Sequence, residues 1–158
     1  MKHFSRFVMG VLVVGLLAVT AQAKTYKWKL AMTWPKQMLP LVSPPLKFAQ
    51  LVEEMSGGKL VVDVHDSNKH KSPMGVFDMV KLVQYEMGHS ASYYWKGKDV
   101  NTMFFTSVPF GMTMNEQYSW FYYGGGMELM QRVYAEHKMY SFPGGNTGVQ
   151  MCGWFRKE

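Results

Sequence analysis

Strand-like and helix-like segments alternate along the first part of the chain, and this order limits the possible folds more than any other feature. Residues 26–32 (YKWKLAM) alternate apolar side chains with lysines, which predicts a strand. A helix is expected from about Ser43 to Ser56, a second strand over 59–65, a second helix over 76–87 and a short strand over 88–95. This order favours an α/β domain with a largely parallel sheet.

The apolar spacing within each segment predicts which side chains face the core. The buried face of the first strand is expected to comprise Tyr26, Trp28, Leu30 and Met32. The buried face of the first helix is expected to comprise Phe48, Leu51, Val52 and Met55. The buried face of the second helix is expected to comprise Val76, Val80, Val83 and Met87.

Turn and cap signals mark where the helices begin and end. Gly57 and Gly58 are expected to end the first helix, and the polar stretch over 66–75 reads as a loop. Thr113 and Glu116 form a capping-box pattern that predicts a later helix. The three glycines at 124–126 interrupt that helix, and another is expected after them.

The amino-terminal segment has the pattern of a secretory signal peptide. Residues 1–23 combine a basic start, an apolar run and the small-residue pattern of a cleavage site, so cleavage is expected after Ala23. An uncleaved membrane anchor is the alternative, although the apolar run is short and interrupted by glycine. The mature chain is therefore expected in a bacterial periplasm.

Composition excludes several classes of function. Once Lys2 and Arg6 are set aside, 15 basic residues remain against 11 acidic ones, and they are scattered along the chain. A scattered, mildly positive charge gives little support to nucleic-acid binding. Cys152 is the only cysteine, so the chain has no internal disulfide.

Three stretches follow predicted strands and carry residues suited to binding a small ligand: TWPK (33–36), SYYWKG (92–97) and GGNTGVQ (144–150). Small ligands bind where loops leave the carboxyl ends of parallel strands. Tyr94 suits ligand contact and plain packing equally well, and turn chemistry alone would explain Asn146. Gln150 carries a polar amide within an apolar run, so it needs a partner if it is buried.

Other chemistries find little support in the sequence. His65, His70, His89 and His137 lack the spacing of a transition-metal site and read as solvated or core residues. No G-x-S-x-G pattern is present, and Cys152 lies in an apolar run without a neighbouring base.

Five stretches, in order along the chain, resemble the periplasmic substrate-binding proteins of TRAP transporters (tripartite ATP-independent periplasmic transporters). They are YKWKLAMTWPK, GVFDMVKLVQYEMGHSASYYWKGK, FFTSVPFGMT, WFYYGGGMELM and FPGGNTGVQMCGWFRKE. The likeness covers nearly all of 24–158 and is nearest to the DctP-type receptors for 2-oxo acids and other short monocarboxylates. YYWKGK together with NTGVQM is its most specific part.

The resemblance implies a periplasmic-binding-protein fold of the class II type, in which two α/β lobes close on a ligand like a hinge. Chains of the family are about twice as long as this one. Residues 24–158 are therefore expected to be the N-terminal portion, truncated before the second lobe is complete, with 140–158 beginning the crossover between lobes.

The resemblance also implies roles for particular residues. Asn146 would hydrogen-bond the ligand, Gln150 would be a ligand of a bound sodium or calcium ion, and Tyr94, Tyr93 and Trp34 would line the cleft. The remaining cation ligands and the arginine that holds the ligand carboxylate lie beyond residue 158 in the family. Arg156 is not the equivalent of that arginine. No other cofactor is implied.

The implied function is that of an exported receptor, not an enzyme. It would capture a small organic acid, a 2-oxo acid or another short monocarboxylate, and deliver it to the membrane permease subunits of a TRAP transporter. Homodimer formation by the full-length receptor stays open. Two other interpretations also stay open: a truncated half-receptor that does not bind, and an exported α/β hydrolase.

Overall fold

A small parallel sheet forms the centre of the structure. The structure is a computed structural model, and it describes residues 24–148 together with Arg156. Three strands make up the sheet: β1 (Tyr26–Met32), β2 (Leu60–His65) and β3 (Met87–His89). They lie in the order β2-β1-β3, and all run parallel. The α/β class and the parallel sheet expected from the sequence are therefore confirmed.

The central strand β1 is paired along its length on one side only. β2 pairs with residues 26–31, whereas β3 pairs only with residues 30–32. Beside the first part of β1, Glu86 Oε2 accepts a hydrogen bond from the backbone N–H of Lys29 at 2.7 Å. Lys29 Nζ donates in turn to the carbonyl oxygen of Gln84 at 2.8 Å. Side chains thus occupy the place that a longer β3 would take.

Burial along β1 departs from simple alternation. Leu30 and Met32 are buried as expected, but Tyr26 and Trp28 are 53% and 40% exposed. Ala31, on the opposite face, is fully buried. Separate groups of helices cover the two faces of the strand's last three residues, so all three are buried. The prediction of a single buried face is wrong for the first half of β1, where Tyr26 and Trp28 are exposed.

The first helix begins earlier than the sequence predicts. α1 spans Leu39–Met55 and contains Pro44 and Pro45, whereas the sequence suggests a start near Ser43. Proline in the first turn is a common start signal, which explains the late prediction. The backbone N–H groups of Leu41 and Val42 already donate to the Met38 carbonyl, at 2.9 and 3.2 Å.

The packed face of α1 also differs from the prediction. Its side chains that pack against or lie buried beside the sheet are Val42, Pro45, Ala49 and Val52. Phe48 and Leu51 are each 41% exposed, and Met55 is 86% exposed. Of the predicted residues only Val52 is correct, because two neighbouring stripes share the same helical spacing and the sheet covers the other one.

Short helical segments replace the predicted loop between β2 and the next helix. Gly57 and Gly58, with φ of 60° and 77°, follow α1 as expected for a helix end. Within the predicted loop lie the one-turn helix α2 (Ser67–His70) and a 3₁₀ helix (Pro73–Gly75). Asp66 caps α2, and its side chain accepts a hydrogen bond from the Lys69 N–H.

The second predicted helix is much shorter than expected. α3 spans Val76–Lys81, and the chain then turns into β3. Val83, expected on the buried face, lies in that turn with φ of 58° and is 79% exposed. Val76 is buried as expected, and Met87 belongs to β3.

The rest of the described chain covers the face of the sheet opposite α1. It comprises two 3₁₀ helices (Ser92–Trp95 and Val100–Phe105) and two α-helices, α4 (Met114–Tyr123) and α5 (Gly126–Ala135). The capping box of Thr113 and Glu116 is confirmed. The predicted strand over 88–95 is correct only at its start. The core on this face comprises Ala31, Val76, Phe77, Trp95, Phe105, Phe121, Met130 and Tyr134.

Some expectations fall on residues that the structure does not describe. Residues 1–23, with the expected cleavage after Ala23, lie outside the described range, as do Gln150 and Cys152. Among the helices of the described part, none is long and apolar enough to cross a membrane.

Candidate functional site

The carboxyl ends of β1 and β3 are tied together by the residues that follow them. The Thr33 N–H donates to the His89 carbonyl at 3.1 Å, and Thr33 Oγ1 donates to Ser90 Oγ at 2.6 Å. Thr33 is 5% exposed, so this link is shielded from water. It brings the stretch after β1 beside the stretch after β3, as the parallel sheet predicts.

Four rings, here called the aromatic wall, line this edge of the sheet: Trp34, His89, Tyr93 and Tyr94. Trp34 meets His89 edge-on at 5.3 Å between ring centroids and lies 6.4 Å from Tyr94. Tyr93 and Tyr94 are 4.5 Å apart in a T-shaped pair. The wall thus joins the loop after β1 to the 3₁₀ helix after β3.

The Tyr93 hydroxyl of the wall keeps its proton at neutral pH. Burial raises the pKa of the Tyr93 hydroxyl to about 12, with a smaller contribution from the neighbouring Tyr94 hydroxyl. A neutral phenol can donate a hydrogen bond to a carboxylate. The third aromatic of the run, Trp95, is 4% exposed and packs on Phe77 in the core. Tyr93 and Tyr94 therefore lie at the edge of the sheet, whereas Trp95 lies in the core. Three consecutive aromatic side chains cannot all face one side.

A buried carboxylate holds the Trp34 loop in place. Asp66 is 6% exposed, and its Oδ2 accepts from the Lys36 N–H at 3.3 Å and from Asn68 Nδ2 at 3.2 Å. The Ser67 N–H donates to the Trp34 carbonyl at 3.3 Å. The residues that begin α2 therefore fix the backbone on which Trp34 stands.

The segment 141–148 lies against the same edge. Gln131 of α5 holds its start, since the side-chain amide donates to the Ser141 carbonyl and accepts from the Ser141 N–H at 3.2 Å. Gly144 lies against the His89 ring. Further on, Asn146 Oδ1 accepts from the Gly148 N–H at 2.6 Å and closes a tight turn. That oxygen is used in the turn, so the side-chain NH₂ group is the donor that Asn146 can offer to another group.

The structure brings together some of the predicted site residues. Trp34, Tyr93 and Tyr94 share the aromatic wall. Asn146 lies two residues after the glycine that touches this wall, and it is exposed. No ring contact or hydrogen bond links it to Trp34 or Tyr94 within the described residues. Gln150, the predicted cation ligand, lies outside them.

Two residues at this edge carry no signal that singled them out in the sequence. His89 reads there as an isolated histidine, and Asp66 reads as part of a polar loop. Both directly end or follow strands, at the positions where parallel sheets place ligand-binding loops. That position is the signal through which they could have been found.

The histidines of the described chain have protein partners rather than metal-ligand geometry. His70, in the stretch expected to be a polar loop, is half-buried and donates from Nε2 to the Met32 carbonyl at 2.7 Å. His65 contacts Asp63 and Tyr85. His89 contacts the Leu41 carbonyl, and His137 contacts Asp99. Over residues 24–148 and Arg156, no group of three or more His, Cys, Asp or Glu residues could hold a metal ion.

A shallow groove at the far end of α1 is a poor site for an anion. Gln50, Glu53, Glu54 and the glycines 57–58 line it. Two carboxylates at its rim repel a negatively charged ligand. The aromatic wall, with its phenol donors, is therefore the better candidate site in the described part of the chain.

A parallel α/β sheet with ring side chains gathered at its carboxyl edge is the arrangement in which proteins of this class bind small ligands. The sequence profile described as "Bacterial extracellular solute-binding protein, family 7", also known as DctP, matches residues 30–158. The chain belongs to this family, and the resemblance drawn from its sequence is confirmed.

Solved structures of the family are closely similar to the chain. A TRAP periplasmic solute-binding protein of Pseudoalteromonas atlantica, with bound sodium and pyruvate, is 61% identical, with a TM-score of 0.82. Its counterpart from Colwellia psychrerythraea, with bound calcium and pyruvate, is 60% identical, with a TM-score of 0.82. Each match covers 85% of this chain and 41% of the other.

A curated relative gives the same assignment. A monocarboxylate 2-oxoacid-binding periplasmic protein of Nostoc sp. is 36% identical over 141 residues, which cover 89% of this chain and 38% of the relative. The chain thus spans about two-fifths of the length of the relatives that it matches.

Proposed function

We propose that the protein is the substrate-binding component of a TRAP transporter, which captures a small carboxylate and delivers it to membrane permease subunits. The observation that carries the proposal is the aromatic wall beside the Asn146 segment, at the carboxyl edge of the sheet in a family 7 chain. Relatives at about 60% identity hold pyruvate. The ligand class proposed here is therefore a 2-oxo acid or another short monocarboxylate.

The chemistry of the edge suits an anion. The neutral phenol of Tyr93 and the amide NH₂ of Asn146 are donors, and the Tyr94 hydroxyl lies beside them on the wall. Hydrogen bonds to a carboxylate are stronger than those between neutral groups. A bound sodium or calcium ion would supply a fixed positive charge. The ion would take Gln150 as one ligand and the rest from outside the described residues, which contribute no acidic or histidine cluster.

The proposal includes the organisation of the chain. Residues 1–23 are an export signal removed after Ala23, and the mature protein works in the periplasm. Residues 24–158 form the N-terminal portion of a two-lobe receptor, with 140–158 beginning the crossover. Closure of the lobes would be a ligand-driven shift between open and closed states.

The same proposal excludes catalysis and leaves self-association to experiment. The relatives described above are binding proteins, which supports a receptor over an α/β hydrolase. A screen of ester substrates tests for hydrolysis, and sedimentation of the full-length protein tests for a homodimer.

Calorimetric titration tests the central claim. The full-length protein, purified free of acid, is titrated with pyruvate in buffers that contain sodium or calcium. We expect one pyruvate per chain, and we expect methyl pyruvate, which lacks the negative charge, not to bind. Absence of pyruvate binding in both buffers, with the protein folded by circular dichroism, would contradict the proposal.

A single substitution tests the role of Asn146. Asn146→Asp keeps the oxygen that closes the turn with Gly148 but replaces the NH₂ donor by a charged oxygen, which repels a carboxylate. We expect pyruvate affinity to fall by at least about tenfold, or about 1.4 kcal/mol. The matched control is Asn115→Asp, exposed in the first turn of α4, which should leave the affinity unchanged.

A further inference from the structure

His89 makes contacts with three separate parts of the candidate site. Its Nε2 lies 2.9 Å from the carbonyl oxygen of Leu41, in the first turn of α1. A carbonyl can only accept, so Nε2 carries the hydrogen. The ring meets Trp34 edge-on and lies against Gly144. Burial lowers the pKa of His89, which keeps the ring neutral and leaves Nδ1 without a proton at neutral pH.

The proline pair in α1 explains why the Leu41 carbonyl is available. In an α-helix this carbonyl accepts the N–H of the residue four positions later, which here is Pro45. Proline has no N–H, so the helix leaves the Leu41 carbonyl without its usual donor. The Nε2–H of His89, 48 residues along the chain, takes that place. The contact fixes both the orientation and the tautomer of the ring.

The ring fixed in this way lies against the segment 141–148 at Gly144. A Cβ added to Gly144 would lie 3.1 Å from Nδ1 and 3.2 Å from Cε1 of His89. A Cβ added to Gly145 would lie 3.0 Å from Cγ of Pro44. Just before Asn146, the chain therefore lies close to the imidazole at Gly144 and close to the proline ring at Gly145.

We propose that His89 is the positioning residue of the site: held by the Leu41 carbonyl, it seats the Gly144–Gly145 backbone and so sets Asn146 relative to Trp34. This inference rests on the proposed function, in which Asn146 donates to a small carboxylate. His89 acts through Asn146 and Trp34 and need not touch the ligand. A side chain at Gly144 would place its Cβ in tight contact with the ring, which would have to shift by a few tenths of an ångström.

The first test uses full-length protein without acid, so it does not depend on the proposed function. Ring ¹⁵N chemical shifts should show the Nε2–H tautomer of His89. In Pro45→Ala the new N–H competes for the Leu41 carbonyl, and the preference for that tautomer should weaken. An unprotonated Nε2 in the wild-type protein would overturn the inference.

A second measurement follows the segment itself. The backbone order parameter of the Asn146 amide is expected near about 0.85 in the wild type and below about 0.6 in His89→Ala and Gly144→Ala. Gly97→Ala is the matched control, because a Cβ there meets nothing within 4 Å. If His89→Ala fails to fold, Gly144→Ala still decides the question. Unchanged order in Gly144→Ala would overturn the inference.

Pyruvate titration then links positioning to binding. His89→Ala and Gly144→Ala are each expected to lower the affinity at least about tenfold. His89→Gln, which keeps an N–H donor for the Leu41 carbonyl, should recover part of the loss. Equal affinities in wild type and both variants would overturn the inference, whereas a wild type that binds no pyruvate overturns the proposed function and leaves the tautomer and order measurements valid.

Discussion

Val83 occupies a backbone conformation that suits its side chain poorly. Its φ is 58°, in the left-handed region, and its side chain is 79% exposed. The left-handed conformation costs an L-residue about 1–2 kcal/mol, and a β-branched residue there is a genuine outlier. No packing contact offsets that cost when the side chain faces solvent. The turn from α3 into β3 is therefore made at the expense of stability.

Relieving this conformation should stabilise the protein. Val83→Gly removes a steric cost of about 1–2 kcal/mol but loses about 0.5–1 kcal/mol through the greater entropy of the unfolded chain, so we expect a net gain of up to about 1.5 kcal/mol in the free energy of unfolding. Urea denaturation measures it. Val100→Gly, at a 60% exposed site without positive φ, is the control and should lose stability. A loss at both positions would show that Val83 is not strained.

The same residue explains one limit of sequence-based prediction. Val76, Val80 and Val83 share helical spacing, and nothing in their chemistry reveals that the chain turns left-handed at the third. Trp34 and Tyr94 could be expected near each other, because loops that follow parallel strands meet at the same edge of the sheet, and strand order alone predicts this. The same rule covers the position of His89 at the end of β3, but not its role, which depends on a carbonyl 48 residues away.

At the scale of elements, a partly buried contact between His137 and Asp99 joins the chain just after α5 to the start of the 3₁₀ helix Val100–Phe105. His137 Nε2 lies 3.0 Å from Asp99 Oδ2, and the two side chains are 15% and 11% exposed. The hydrogen bond from His137 lowers the pKa of Asp99, and the Asn101 N–H adds to the effect. The Asp99 carboxylate thus caps the 3₁₀ helix Val100–Phe105 and also binds His137, which follows α5.

This pair should make stability depend on pH. Because the folded-state pKa of Asp99 lies below its unfolded value near 3.8, its contribution is fully present above that value and is lost as pH falls through the folded pKa. Asp99→Asn keeps a capping oxygen but removes the charge. We expect it to cost about 1–3 kcal/mol at pH 7, and the difference from wild type to shrink below about pH 4.

The control for this prediction is Asp63→Asn. Asp63 contacts His65 and Lys69, but its side chain is 60% exposed, so its pairs contribute at most about 1 kcal/mol. Urea denaturation between pH 3 and 7 compares the two variants. A constant difference between Asp99→Asn and wild type across that range would contradict the assignment.

Element boundaries show which sequence signals can be trusted. The capping box of Thr113 and Glu116 marks the start of α4 correctly, because it is a local hydrogen-bonding pattern. Pro44 is a start signal only on average, and α1 begins before it. The buried stripe of α1 depends on how the helix lies on β1 and β2, which helical spacing alone does not determine.

At the scale of the whole molecule, β1 is shared by two cores. Ala31 belongs to the cluster with Phe77 and Trp95, whereas Met32 belongs to the cluster with Val42 and Val62 on the other face. Neighbouring residues of a single strand thus face different cores. Displacing β1 would expose both cores at once, so the described part should unfold as one unit.

Truncating a side chain at this shared strand tests that expectation. Met32→Ala, at a site with 0% exposure, should cost about 2–5 kcal/mol and shift the unfolding transitions seen by far-ultraviolet and near-ultraviolet circular dichroism together. Met55→Ala, at a site with 86% exposure, should stay within about 0.5 kcal/mol of wild type. Separated transitions in Met32→Ala would mean that the two cores unfold independently.

The hydrogen bond from the Lys29 N–H to the Glu86 carboxylate affects how copies of this chain can associate. An unpaired strand flank is a template to which a strand of another chain can add. Here the flank beside residues 26–29 carries a bound side chain and two lysines. Addition of a strand from another chain would have to break that hydrogen bond and bury the charges of the lysines. This flank of the sheet is therefore unfavourable for aggregation.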